Sequence, residues 1–145
     1  MKIGLIGAGR LGICFALLCE KAGYNILVSD IREDYVLGLS NKQISTNEPG
    51  VKELLEDAEF FEATTSNSRV IEESDIIYTL VATPSLVSGD YDVSAVWKVV
   101  DDIVASGVKN KALVVGCTTN PGDCDKFQER LNELLRKSQR EFQKF

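Results

Sequence analysis

Histidine is absent from these 145 residues, and no two of the four cysteines, Cys14, Cys19, Cys117 and Cys124, form a C-x-x-C pair. The usual zinc ligand sets cannot be assembled, and no metal is expected. Positive charge is in short supply, with 16 Lys and Arg against 22 Asp and Glu and a net charge of −6. An acidic chain of this kind is not expected to bind nucleic acid or an anionic membrane through its overall field, which leaves a small molecule or another protein as partner. No apolar run approaches the ~20 residues that span a bilayer. The apolar N-terminus is broken by glycines and Arg10 rather than preceded by a basic segment, so no cleavable leader is expected either. These absences fit a cytoplasmic protein with reduced thiols. Internal repeats and low-complexity linkers are also missing. What remains is a 44% hydrophobic chain that can bury roughly 70% of its unfolded surface, enough for one core.

Short apolar runs rich in Ile, Leu and Val lie at 2–6, 25–29, 60–64, 75–81 and 111–117, as expected for buried strands of a parallel sheet. Helical patterns separate them. The first, 10–22, carries Leu11, Phe15, Leu18 and Ala22 at helical spacing and stops at Gly23. Within 33–58, "EDYVLGLSN" and "EPGVKELLED" read as two short helices, the second with Pro49 near its first turn. Residues 67–73 suit a further short helix, and 93–106 a longer amphipathic one ending at Gly107. This alternation predicts an α/β fold, a doubly wound, mostly parallel sheet of about five strands in a single Rossmann-type domain.

The end of the chain has a different character. Residues 126–145 hold six Lys or Arg against three Glu, so the segment is basic on an otherwise acidic protein. Phe127, Leu131, Leu134 and Leu135 form a stripe expected to dock on the sheet, whereas the sequence after Arg136 is polar with isolated phenylalanines. We therefore divide the chain into a domain at 1–137 and a polar tail at 138–145. The apolar face of the tail is too thin for a membrane-surface helix.

The segment "GAGRLG", Gly7 to Gly12, follows a strand and opens a helix, the context that gives a G-x-G-x-x-G pattern mechanical meaning. Gly7 permits the tight turn, Gly9 lets the backbone approach a pyrophosphate, and Gly12 lets helix and strand pack closely, with free N–H groups and the helix dipole facing the anion. Asp30 ends the second strand, 18 residues beyond Gly12. A carboxylate there accepts the adenosine ribose hydroxyls and repels a 2′-phosphate, which favours NAD as cofactor over NADP. Arg32, close by, can neutralise such a phosphate or lie over the adenine. Two further segments, "LVATPSLVSGDYDVS" and "VVGCTTNPGDC", leave the fourth and fifth strands at the edge where open α/β sheets bind ligands, and place Thr83 and Thr118 where a nicotinamide ribose could sit. Taken by residue type alone, those threonines are as well explained as turn or cap residues. Cys14, Cys19 and Cys117 read as packed structural thiols, with no local base or cation to mark a nucleophile.

With these residues in hand, the chain resembles the N-terminal NAD-binding domain of the UDP-glucose/GDP-mannose dehydrogenase family. The resemblance covers roughly residues 1–125 and rests on "NEPGVKELL" at 47–55, "ESDIIYTLVATPS" at 73–85 and "GDYDVSAV" at 89–96. It implies that Gly7, Ala8, Gly9, Arg10, Leu11 and Gly12 hold the pyrophosphate, Asp30 the adenosine ribose, and Val81 and Thr83 the nicotinamide half. Thr118 matches a threonine that helps order the reactive water beside the cofactor. Ala82 replaces the family's usual proline, and "CTTNP" its serine-threonine-valine-proline turn. Tyr35 stands where a basic residue is often found, leaving Arg32 as its substitute.

Members of the family continue with a sixth strand, a long central helix and a second domain bearing the catalytic cysteine, lysine and asparagine, none of which is found here. The family reaction oxidises the C6 alcohol of a nucleotide sugar to a carboxylate with two NAD and a cysteine-bound intermediate. The resemblance thus implies the cofactor-holding part of a UDP-glucose-type 6-dehydrogenase, inactive alone and engaging a nucleotide sugar only when the missing half is supplied. A stand-alone NAD-binding or regulatory module is the second reading, and another dehydrogenase with the same fingerprint, such as a hydroxyacid type, the third. The sequence leaves oligomeric state open.

Overall fold

The apolar runs pair as five parallel strands, β1 (Lys2–Ile6), β2 (Asn25–Ser29), β3 (Phe61–Thr64), β4 (Ile76–Thr79) and β5 (Ala112–Val115), in the order β3-β2-β1-β4-β5. Among the described residues six helices connect or follow them: α1 (Arg10–Lys21), α2 (Glu33–Ser40), α3 (Val51–Asp57), α4 (Asn67–Glu73), α5 (Ser94–Ser106) and α6 (Asp123–Phe142). The computed structural model describes residues 1–142, with side chains at all of these but 134, 135 and 137–142. The strand order reverses beside β1, whose neighbours are β2 on one side and β4 on the other, with Ile3 facing Ile26 and Ile76. This is a topological switch point, where the loops leaving β1 and β4 diverge and open a crevice.

Alternation along each strand sends side chains to two cores. Ile3, Leu5, Ile26 and Val28 pack with Ile13, Ala16 and Leu17 of α1, Leu39 of α2, and Val51 and Leu55 of α3. On the other face Ile6, Leu27 and Ile77 meet Val70 and Ile71 of α4 and Val99 and Ile103 of α5. Phe127 anchors α6 to α5, buried against Val96 and Val100 and edge-on to Trp97 at 4.7 Å between ring centroids. A buried aromatic of this size contributes about 1.5–3 kcal/mol through area alone.

The predicted architecture is the observed one, with local differences. The stripe that marks α1 in the sequence is not its core face: Leu11 is 65% and Leu18 57% exposed, while Ile13, Ala16 and Leu17 are buried. Phe15, half-buried, packs on Tyr78 at 4.7 Å. α3 starts at Val51 rather than at Pro49. Gly50 caps it at φ 78°, ψ −8°, and the Val51 N–H reaches the Glu48 carbonyl at 3.4 Å, so Pro49-Gly50 forms a tight turn ahead of the helix. β4 and β5 are shorter than their apolar runs, although the ladder continues through Leu80 N–H to the Ile6 carbonyl at 2.8 Å and Gly116 N–H to the Thr79 carbonyl at 2.9 Å. In the tail, α6 extends to Phe142. The expected docking of Leu134 and Leu135, and any role for Phe142 and Phe145, lie outside the described side chains. Among the described residues, no helix is long and apolar enough to cross a membrane.

Candidate functional site

The turn from β1 into α1 is built on backbone proximity. Gly7 sits at φ 98°, a conformation that residues with a β-carbon rarely adopt, and such a carbon would lie 2.7 Å from the Leu80 carbonyl. One on Gly12 would lie 2.2 Å from the Gly7 carbonyl oxygen. Gly9 is different, because nothing stands within 4 Å of the same position. The loop is thus closed by its outer glycines and open at its central one, which leaves room for a group to approach the backbone. Gly9 also caps α1, with no side-chain cap bond and no acidic residue in the first turn. The first-turn N–H groups and the positive end of the helix dipole therefore face that opening.

A cavity of about 460 Å³ lies at the switch point, lined by Gly7 and Gly9 from the loop, Ser29, Asp30 and Arg32 from the end of β2, and Leu80, Val81 and Ala82 from the end of β4. Its far wall comes from Asn67 of α4 and from Ala95, Lys98 and Val99 of α5. A second, more polar cavity of about 220 Å³ shares Gly9 and Arg32 and adds Arg10, Tyr35, Ser45, Thr46 and Glu48. Arg10 there faces Glu48 at 3.6 Å.

Asp30 lines the larger cavity beside Arg32, which lines both. Arg32 donates its backbone N–H and Nε to Asp30 Oδ1 at 3.0 and 2.8 Å and its Nη2 to Oδ2 at 2.9 Å. The guanidinium also lies over the Tyr35 ring, 4.2 Å from its centre. Burial works to raise the Asp30 carboxyl, but the hydrogen bonds and charge of Arg32, helped by the Ala8 backbone N–H, hold it below its ordinary value. A carboxylate at this place is ionised throughout the neutral range.

The sequence-predicted residues are brought together unevenly. Gly7, Gly9, Asp30, Arg32 and Val81 line one cavity and Arg10 its neighbour. Ala8 is fully buried, with its backbone N–H turned to the Asp30 carboxylate, and Leu11 is 65% exposed at the start of α1. Thr83, half-buried, and Thr118, exposed, lie on the loops leaving β4 and β5 at the same sheet edge, and neither is among the residues lining these two cavities.

Two polar arrangements escaped the sequence reading. Ser29 is buried and donates its hydroxyl to Asn67 Oδ1 at 2.7 Å, which orients the Asn67 amide at the cavity wall. Asn120 ties the two threonine-bearing loops together. Its Oδ1 accepts the Tyr91 N–H at 2.7 Å and its Nδ2 donates to the Tyr91 carbonyl at 3.0 Å. Asp123 Oδ2 in turn accepts the Asn120 backbone N–H at 3.0 Å and Nδ2 at 2.9 Å. These bonds from Asn120 hold the Asp123 carboxyl below its ordinary value in spite of burial. The signal was the turn chemistry of "TTNPGDC", which reads as a loop without naming its partner. Cys14, Cys19 and Cys117 are half-buried and Cys124 is exposed. Burial pushes the Cys19 and Cys117 thiols up, away from thiolate chemistry.

Comparison with known proteins agrees with this fold. The family model for the UDP-glucose/GDP-mannose dehydrogenase family, NAD binding domain, matches residues 1–144. Among curated relatives, the UDP-glucose 6-dehydrogenase AglM of Haloferax volcanii is 31% identical over 97 residues, 66% of this chain and 22% of its own. The UDP-glucose 6-dehydrogenase TuaD of Bacillus subtilis is 26% identical over 144 residues, 97% of this chain and 31% of its own. Among solved structures, the UDP-N-acetyl-mannosamine dehydrogenase Cap5O of Staphylococcus aureus superposes with a TM-score of 0.82 at 28% identity, over 93% of this chain and 33% of that one. GDP-mannose dehydrogenase of Pseudomonas aeruginosa gives a TM-score of 0.84 at 22% identity, over 92% and 32%, and attests the fold. The chain spans between a fifth and a third of the length of these relatives.

Proposed function

This chain belongs to the UDP-glucose/GDP-mannose dehydrogenase family as its NAD-binding domain, and on that footing we propose that it is the cofactor-holding part of a nucleotide-sugar 6-dehydrogenase of the UDP-glucose type. The observation that carries this reading is the contrast within one loop, where Gly7 and Gly12 are locked by packing while Gly9 stands open beside the 460 Å³ cavity and the Asp30 carboxylate. A pyrophosphate fits that opening, since it needs a close backbone, unpaired N–H donors and the positive end of a helix.

In this reading the segment Gly7 to Gly12 binds the pyrophosphate, with Arg10 placed to meet a phosphate oxygen. Asp30 accepts the adenosine ribose hydroxyls, and its charge favours NAD over NADP. Val81 and Thr83 border the nicotinamide half, and Thr118 orders a water beside it. When bound, NAD supplies the hydride acceptor. Asn120 fixes the loops that carry Thr83 and Thr118 and so orients both threonines from outside the site.

A nucleotide sugar would be engaged only with a second domain supplying the cysteine and the sugar contacts, in the cytoplasm, where such thiols stay reduced. The test mixes this 145-residue chain with UDP-glucose and excess NAD and follows NADH absorbance. Bound NAD with no NADH formed supports the reading. Without a thiolate for the aldehyde step and without positioning of the sugar, which is worth ~7–11 kcal/mol of barrier, turnover should be undetectable. Steady NADH production abolished by Thr118→Ala would contradict it.

A further inference from the structure

The Asp30 carboxylate, read above as the acceptor of the ribose hydroxyls, is already occupied within its own loop. Oδ1 carries two donors from Arg32, at 3.0 and 2.8 Å, and Oδ2 a third at 2.9 Å. The Asp30 side chain is only 8% exposed, against 56% for Arg32, so the guanidinium covers the open side of the carboxylate. A carboxylate has about four acceptor sites, three of them taken here, while a ribose diol presents two O–H donors. Guanidinium and diol cannot both be satisfied there.

We propose that Arg32 is a latch on Asp30 that the cofactor must displace, and that this latch sets how strongly the chain separates NAD from NADP. The proposal rests on Asp30 as the ribose acceptor. Two features of the surroundings support it. The Tyr35 face, 4.2 Å from the guanidinium carbon, steadies Arg32 in the closed position. Arg32 also stands between the two cavities, lining both, so its guanidinium can leave Asp30 for the polar one, where Glu48, loosely faced by Arg10 at 3.6 Å, supplies a carboxylate.

The consequences for the two cofactors are opposite in sign. NAD brings a diol and must break the pair. NADP brings a 2′-phosphate in place of one hydroxyl, and a guanidinium at this spot offsets its repulsion by Asp30. Arg32 therefore weakens NAD binding and eases NADP binding. It narrows a preference that Asp30 alone would make wider.

The experiment titrates NAD and NADP calorimetrically into the parent chain and into Arg32→Gln, Arg32→Lys, Asp30→Asn and the double variant Asp30→Asn/Arg32→Gln, with melting curves to check folding. Arg32 is largely exposed, so these variants should melt with the parent. Arg32→Gln is expected to tighten NAD about three- to tenfold, the strength of a partly exposed forked ion pair, and to weaken NADP by a similar factor. Arg32→Lys, which keeps the charge but loses the fork, should tighten NAD with a smaller loss of NADP. On the Asp30→Asn background, Arg32→Gln should change NAD affinity by less than about twofold. Weaker NAD binding by Arg32→Gln would overturn the latch and place the guanidinium on the adenine instead. An undiminished gain on the Asp30→Asn background would also overturn it. Equal NAD affinity of Arg32→Gln and the double variant would remove the ribose role of Asp30, and the latch with it.

Discussion

A β-carbon on Gly12 would lie 2.2 Å from the carbonyl oxygen of Gly7 and 3.1 Å from the Leu5 side chain, so the first turn of α1 rests directly on the turn that leaves β1. Gly9, between them, has φ −66° and ψ −167°, which any residue adopts, and meets nothing within 4 Å. One motif therefore joins a glycine required by packing to a glycine the fold does not use. Gly12→Ala is expected to cost about 1–3 kcal/mol or more, as overpacking against backbone cannot relax. Gly9→Ala should leave stability within ~0.5 kcal/mol of the parent yet weaken NAD at least about tenfold, because the methyl enters the space the pyrophosphate needs. Urea unfolding and NAD titration of both variants check this. Equal destabilisation by the two would refute the division of roles.

The exposed side of α1 gives a second comparison. Leu17 is fully buried among Leu5, Ile26 and their neighbours, while Leu18, one position on, is 57% exposed. Leu17→Ala should cost about 2–5 kcal/mol through lost transfer energy and a residual cavity. Leu18→Ala should stay within ~0.5 kcal/mol. Thermal melts of the pair decide the matter, and a comparable loss from Leu18→Ala would mean that the outer stripe is covered by another surface.

Asp123 links stability to pH. Its carboxyl is held below the ordinary 3.8 by Asn120, so the stabilisation is fully present above that value and lost as pH falls through the lower folded value. Asp123→Asn should therefore melt below the parent at pH 7, and the gap should close as pH falls below 3.8 and through the lower folded value. A gap that is constant across that range would mean that Asp123 acts by shape and not by charge.

The element order, the glycine loop and the acidic residue after β2 were legible because each depends on local chemistry: β-rich runs, glycines between a strand and a helix, and a carboxylate at a fixed offset. The core face of α1 was not legible. That helix carries Leu11, Phe15 and Leu18 on one side and Ile13 and Leu17 on another, and helical periodicity marks a stripe without saying which stripe meets the sheet. Arg32 was visible as a charge near Asp30, but its pairing with the carboxylate oxygens and its place on Tyr35 depend on the loop between β2 and α2 folding back on itself. Asn120 lies 29 residues from Tyr91, and no local pattern announces a bond over that distance.

The proposed role of Asp30 as the residue that reads the ribose is tested directly by the affinity of the chain for NAD and for NADP before and after Asp30→Asn. The parent should bind NAD the more tightly. Asp30→Asn should weaken NAD and narrow the preference, since it removes a charged acceptor and the repulsion of the 2′-phosphate together. Identical titrations of the two cofactors with the parent, or a preference that Asp30→Asn leaves intact, would contradict the assignment.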